Sequence, residues 1–177
     1  DQMQAQGQVA GDAGIITLNS IVAEHADLYA IPGTGALASS FVPLAQNLEG
    51  QINCYAFNHQ GVLDGQQPHE SIEQTAQAFI KMINDNGKPV YLLGHSYGAL
   101  VAFEMVNQLT ALGRDARLIM VDGVKRKSDT PVSADNNDEI SRLCADADSG
   151  VDQQLVQQLS DSISRVTQWQ VLLMHQY

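Results

Sequence analysis

Five residues, Gly94-His95-Ser96-Tyr97-Gly98, constrain this chain more than any other stretch. The run before them, Pro89-Val-Tyr-Leu-Leu, carries a strand signal, and Ala99-Leu-Val-Ala-Phe-Glu-Met-Val-Asn-Gln-Leu after them has helical spacing. A serine held between strand and helix in a G-x-S-x-G frame is a nucleophile elbow. The sharp turn strains the Ser96 backbone and lifts its hydroxyl clear of the sheet. Small residues are required at Gly94 and Gly98, because a side chain at either would collide with the turn or with the neighbouring strand. The five residues alone are a weak signal; correct flanks on both sides make it strong.

The rest of the chain supplies a matching scaffold. Strand patterns fall at Gly14-Ile-Ile-Thr-Leu, Ala26-Asp-Leu-Tyr-Ala-Ile, Ile52-Asn-Cys-Tyr-Ala-Phe, 89–94 and Ala116-Arg-Leu-Ile-Met-Val. Between them, helices are expected over 37–48, with Phe41, Leu44, Ala45 and Leu48 on one stripe, and from Ser71 to the Asn86-Gly87 stop. The helix after Ser96 runs to Leu112 and is closed by Gly113. Strands alternating with helices imply an α/β fold with a mostly parallel sheet flanked by helices. Catalytic groups in such folds gather at the carboxyl ends of the strands. Pro32–Gly35, Gly94–Gly98 and Asp122 all fall there.

Residues 1–13 read as linker or frayed terminus, 14–126 as the core, and 127–177 as a polar, acidic stretch followed by a lid-like amphipathic region with Leu155, Leu159, Ile163, Val166 and Leu173. The alternative for that last pattern is a helix covering the core. At 177 residues with 44% apolar content, the chain fits a single domain with a proper core. No apolar run is long enough to span a bilayer, and the polar start lacks a secretory h-region. A net charge of −11 argues against nucleic-acid and anionic-membrane partners. Cys54 and Cys144 read as buried thiols, which favours a cytoplasmic setting. The absence of an initiating Met suggests a piece of a longer polypeptide or a processed form. Asp146-Ala-Asp-Ser-Gly lacks the later ligands of a calcium loop, so no metal site is expected.

A serine nucleophile needs a general base and an orienting acid. Asp122 is the natural acid, since it ends the strand after the motif helix and emerges beside the elbow. The backbone amides of Tyr97 and Thr34 are the candidates for an oxyanion hole. No histidine fits the base: His95 is expected to pack away from the hydroxyl, His25, His59 and His69 to lie at the surface, and His175 to sit too near the end. Lys125, Arg126 and Lys127 form the one basic cluster, a solvated turn or an anion contact.

These residues resemble the thioesterase domains of nonribosomal peptide and polyketide assembly lines, a branch of the α/β-hydrolase fold. The matching pieces are Ile31-Pro-Gly-Thr-Gly, Phe41-Val-Pro-Leu, Glu70-Ser-Ile-Glu-Gln-Thr-Ala, Tyr91-Leu-Leu-Gly-His-Ser-Tyr-Gly-Ala and Leu118-Ile-Met-Val-Asp. The resemblance implies Ser96 as nucleophile, Asp122 as acid, and the Thr34 and Tyr97 amides as oxyanion donors. It implies an acyl or peptidyl substrate on the phosphopantetheine arm of a carrier protein, with no cofactor of the enzyme's own. The chain would release it by hydrolysis or macrocyclisation, with Lys125, Arg126 and Lys127 contacting the arm's phosphate. One departure is expected to matter. The family's C-terminal strand-helix-strand unit, which brings the catalytic histidine, has no counterpart before Tyr177. A stand-alone editing thioesterase and a non-catalytic carrier-binding fragment are the alternatives.

Overall fold

The computed structural model describes residues 14–22, 24–63, 65–123, 161, 165–170 and 173–174. Lys125, Arg126, Lys127, Cys144, the Asp146 loop, His175 and most of the 127–177 region lie outside the described residues.

Among the described residues five strands form one sheet: β1 (Ile15–Thr17), β2 (Asp27–Ile31), β3 (Asn53–Phe57), β4 (Val90–His95) and β5 (Ala116–Val121), in the order β1-β3-β2-β4-β5. β1 runs antiparallel to β3, and the other three pairings are parallel. The mostly parallel sheet expected from the strand–helix alternation is present. The expected helix over 37–48 divides into a 3-10 turn, Ala38–Phe41, and a short α1, Val42–Asn47. Pro43 opens α1, where its missing N–H costs nothing. Helix α2 (Ile72–Ile80) starts at Ser71, whose side chain accepts from the Gln74 N–H at 3.1 Å, the cap anticipated from sequence. Helix α3 (Tyr97–Ala111) is closed by Gly113, whose φ of 77° turns the chain so that the Arg114 N–H reaches back to the Leu109 carbonyl at 3.0 Å.

Alternation along the strands sorts side chains onto two faces. Tyr29, Ile31, Phe57, Val90 and Leu92 meet α2 and α3, together with Tyr97, Met105 and Leu173. Leu28, Ala30, Cys54, Ala56 and Leu93 pack on the other face against Ala38 and Ala45. Cys54 is a buried free thiol, as its strand position suggested. β2 is buried along its whole length, whereas β5, the last strand of the sheet among the described residues, exposes Ile119, Met120 and Val121 at 41–45%. At the amino ends of the strands the buried Asp27 carboxylate accepts from the Asn53 and Asn86 side-chain amides, both at 2.8 Å, so its burial is matched by hydrogen bonds.

Residues 165–170 and 173–174 are helical, with Val166, Gln170 and Leu173 buried. Leu173 joins the core cluster on the α2–α3 face, so this part of the amphipathic segment also covers the core.

Two glycines fix how α3 meets the sheet. A Cβ on Gly98 would collide with the Ile31 carbonyl oxygen and come within 2.6 Å of that of Pro32. A Cβ on Gly94 would strike the Gly98 carbonyl oxygen and the Ala99 Cα. Backbone atoms cannot yield as a flexible side chain can. Gly98→Ala is therefore expected to lower unfolding stability by more than about 3 kcal/mol, read from the urea midpoint.

Candidate active site

The turn from β4 into α3 has the geometry its sequence demanded. Ser96 sits at φ 52°, ψ −119°, outside the regions an L-residue favours. Its N–H donates to the Val121 carbonyl at 2.9 Å, and its own carbonyl accepts from Ala99, which starts the helical bonding. The elbow is thus tied to β5 on one side and to α3 on the other. Asp122 directly follows Val121, so the backbone brings the predicted acid beside the predicted nucleophile. Asp122 is exposed and also holds a positive φ, 52°.

The second predicted amide lies on the turn after β2. Gly33 is pressed against the elbow: a Cβ there would lie 3.3 Å from Ser96 Cβ and 3.0 Å from His95 Nδ1. The Thr34 N–H that follows has no hydrogen-bond partner among the described residues, and neither does the Tyr97 N–H at the first turn of α3. Unpaired donors at a helix start and an adjacent turn suit a developing anion.

The histidines are where sequence reading fell short. His95 is exposed rather than packed. His25 and His69 are half-buried rather than at the surface. His59, also expected at the surface, is 4% exposed. Its Nε2 lies 3.0 Å from the Pro32 carbonyl oxygen, which can only accept, so this nitrogen carries the proton. The ring is wedged between Phe79 and Tyr97, at centroid distances of 5.7 and 5.3 Å. Burial pushes its pKa down to about 4, only partly offset by the Pro32 hydrogen bond. Position offered one clue, since His59 lies just past β3 at the catalytic end of the sheet.

Tyr97 does more than present an amide. Its side chain is buried in the core that α2 and α3 share, and burial raises its pKa to about 12. That anchors the first residue of α3 to α2. A small cleft beside it is lined by His59, His69, Thr75, Tyr97, Trp169 and Leu173. The helical residues 165–170 close over one side: Trp169 Nε1 donates to the His69 carbonyl at 2.6 Å, and the Gln170 side-chain oxygen accepts from the Gly35 N–H at 3.0 Å. Nothing in the sequence flags Gln170, which lies 135 positions from its partner. Among the described residues no three His, Cys, Asp or Glu side chains gather into a metal-binding group, and no helix is long and apolar enough to cross a membrane.

A parallel-sheet core with a serine elbow at the end of a central strand defines the α/β-hydrolase class. Within it, the chain belongs to the thioesterase domain family, whose profile matches residues 26–167. It is 33% identical over 91 residues to Thioesterase TesA of Mycobacterium marinum, covering 49% of this chain and 36% of that protein. It is 32% identical over 90 residues to the nonribosomal peptide synthetase apvA of Aspergillus terreus, covering 50% of this chain and 10% of that one. The chain therefore matches about a third or less of the length of these curated relatives. Among solved structures, the NocB thioesterase domain, as a covalent complex with a fluorophosphonate nocardicin G analog, superposes with a TM-score of 0.70 at 22% identity. That match covers 92% of this chain and 71% of the other. The type II thioesterase BorB of the borrelidin biosynthetic cluster gives 0.69 at 20% identity, over 94% and 71%.

Two outcomes are expected. Ser96→Gly relieves the strained φ and should raise unfolding stability by about 1 kcal/mol in urea titration, while removing the hydroxyl. The second concerns His59. Unfolded, it binds a proton near pH 6.5; folded, only near 4. Its contribution is thus fully present above 6.5 and is lost as pH falls through that window, by about 3 kcal/mol in all. Stability measured from pH 7 to 4 should fall less steeply in His59→Gln than in the parent.

Proposed function

We propose that this chain is the catalytic part of a thioesterase that releases an acyl or peptidyl chain from the phosphopantetheine thioester of a carrier protein. The observation that carries this reading is Ser96, strained on its elbow with two unpaired N–H groups on the flanking turns. Ser96 Oγ attacks the thioester carbonyl carbon while its proton passes to a general base. The carbonyl oxygen becomes an anion received by the Thr34 and Tyr97 amides. Collapse breaks the C–S bond, and the arm leaves as a thiol carrying the proton. Water, or an internal hydroxyl or amine in macrocyclisation, then frees the chain from Ser96.

The base is a histidine oriented by Asp122. Among the described residues no histidine hydrogen-bonds the Ser96 hydroxyl, so this one comes from outside them. No metal or organic cofactor belongs to the enzyme in this reading; the arm arrives with the carrier, in the cytoplasm. Lys125, Arg126 and Lys127, two to five positions past Asp122 and Gly123, contact the arm's phosphate. A stand-alone editing thioesterase uses the same chemistry and is the second reading. What favours it is the likeness to TesA, a far shorter chain than the synthetases, since a match of similar length covers 36% of TesA but 10% of apvA.

A fluorophosphonate should add once, on Ser96, by intact mass, and not at all to Ser96→Ala. Absence of the adduct from the full-length polypeptide would point instead to a carrier-binding fragment without catalysis. On an acyl thioester, Asp122→Asn should lower kcat about 10³- to 10⁴-fold. Charge reversal at Lys125, Arg126 and Lys127 should weaken turnover of carrier-bound but not of small thioesters; equal effects on both would remove the phosphate contact.

A further inference from the structure

We propose that His59 is a positioning residue that, with Gln170, clamps the Pro32–Gly35 turn and so sets where the Thr34 amide stands over Ser96. The inference rests on the oxyanion role given to Thr34 above.

The turn has no regular strand or helix partner to define it. Its own internal bond runs from the Ala36 N–H to the Gly33 carbonyl at 3.1 Å. The other hydrogen bonds that hold it come from side chains. His59 Nε2 donates to the Pro32 carbonyl on one side of Gly33-Thr34, and the Gly35 N–H donates to Gln170 on the other, each at 3.0 Å. Both clamping side chains are buried, at 4% and 3% exposure. Just beyond, Asn58 Oδ1 takes the Ala38 N–H at 2.9 Å, so two consecutive residues after β3 grip the same loop. Between the clamps, Gly33 touches the elbow and the Thr34 N–H is left unpaired. The Thr34 N–H is thus left free between two clamped positions, Pro32 and Gly35.

His59 suits this task because its ring cannot move. Phe79 bounds it on one side, and it meets Tyr97 edge-on. Tyr97 carries the second predicted oxyanion amide on its own backbone. One imidazole therefore touches both parts of the candidate hole: the Pro32 carbonyl of one and the Tyr97 ring of the other. Gln170 comes from the helical segment over the cleft, so the placement of that segment bears directly on the turn.

The test uses the full-length polypeptide and the rate at which a fluorophosphonate phosphonylates Ser96, because the tetrahedral adduct places an oxygen where the anion would sit. His59→Leu should lower the maximal inactivation rate about ten- to a hundredfold, with the half-saturating concentration within about twofold of the parent. His59→Gln, which keeps an N–H donor, should recover most of the loss. Gln170→Leu, at a site where failure to fold is a smaller risk, should show the same split. kcat on an acyl pantetheine thioester should fall in step, with KM unchanged. Folded variants of His59 and Gln170 that label as fast as the parent would overturn the clamp. A parent that labels at Ser96 yet leaves thioesters untouched would instead overturn the proposed reaction, and the labelling rates would still report on the clamp.

Discussion

The close approach of α3 to the end of β2 is the constraint on which the site depends. Gly98 lies so near the Ile31 and Pro32 carbonyls that no Cβ fits between them. A helix that must begin there has no room for a gradual turn out of β4, so the residue before it takes the bend. That residue is Ser96, and its positive φ is the geometric consequence. The same approach draws the β2 end and its turn onto the elbow, which is why Gly33 sits against Ser96. One steric fact thus brings the proposed nucleophile and the proposed oxyanion turn into contact, and the side-chain hydrogen bonds of His59 and Gln170 hold the turn there.

What keeps them there is an aromatic run on one sheet face. Tyr29 stacks near Phe57 at 5.9 Å, Phe57 stacks on Phe79 at 4.3 Å, and Phe79 meets His59. His59 then meets Tyr97, the first residue of α3. Such pairs add to the burial they accompany, and rigid rings have few rotamers to lose. The site is therefore continuous with the core. Because His59 stays neutral through the physiological range, its bond to Pro32 is made without burying an unpaired charge.

How much of this was legible in the sequence follows from the range of each cause. The elbow, the Ser71 cap and the Gly113 stop are local, set by residues within a few positions, and each stands where the pattern put it. Strand alternation was legible for the same reason. His59 was misplaced at the surface because Gln60, Gly61 and the polar residues after it read as an open loop. Its burial is decided by Phe79 and Tyr97, twenty and thirty-eight positions on. Gln170 was invisible for the same reason, since a polar residue on an amphipathic helix reads as solvated until its partner, 135 positions away, is known. Burial of polar groups is a tertiary property, and periodicity carries little trace of it.

Backbone strain shows where those long-range forces converge. Among the described residues, Ser96 and Asp122 are the two non-glycine positions with positive φ. They stand at the carboxyl ends of adjacent strands β4 and β5, joined by the Ser96 N–H to Val121 carbonyl bond. A strained residue persists only where its surroundings over-determine it. Here the surroundings are the glycine-tight packing of α3 and the pairing of β4 with β5. Neither requires a polar side chain at the strained positions, and stability alone would be better served by glycine at both. The proposed reaction gives a reason for a hydroxyl and a carboxylate to stand there instead, at the ends of neighbouring strands. In the proposed reaction the remaining element is a base that reaches both, and the exposure of Asp122 leaves its carboxylate open to one.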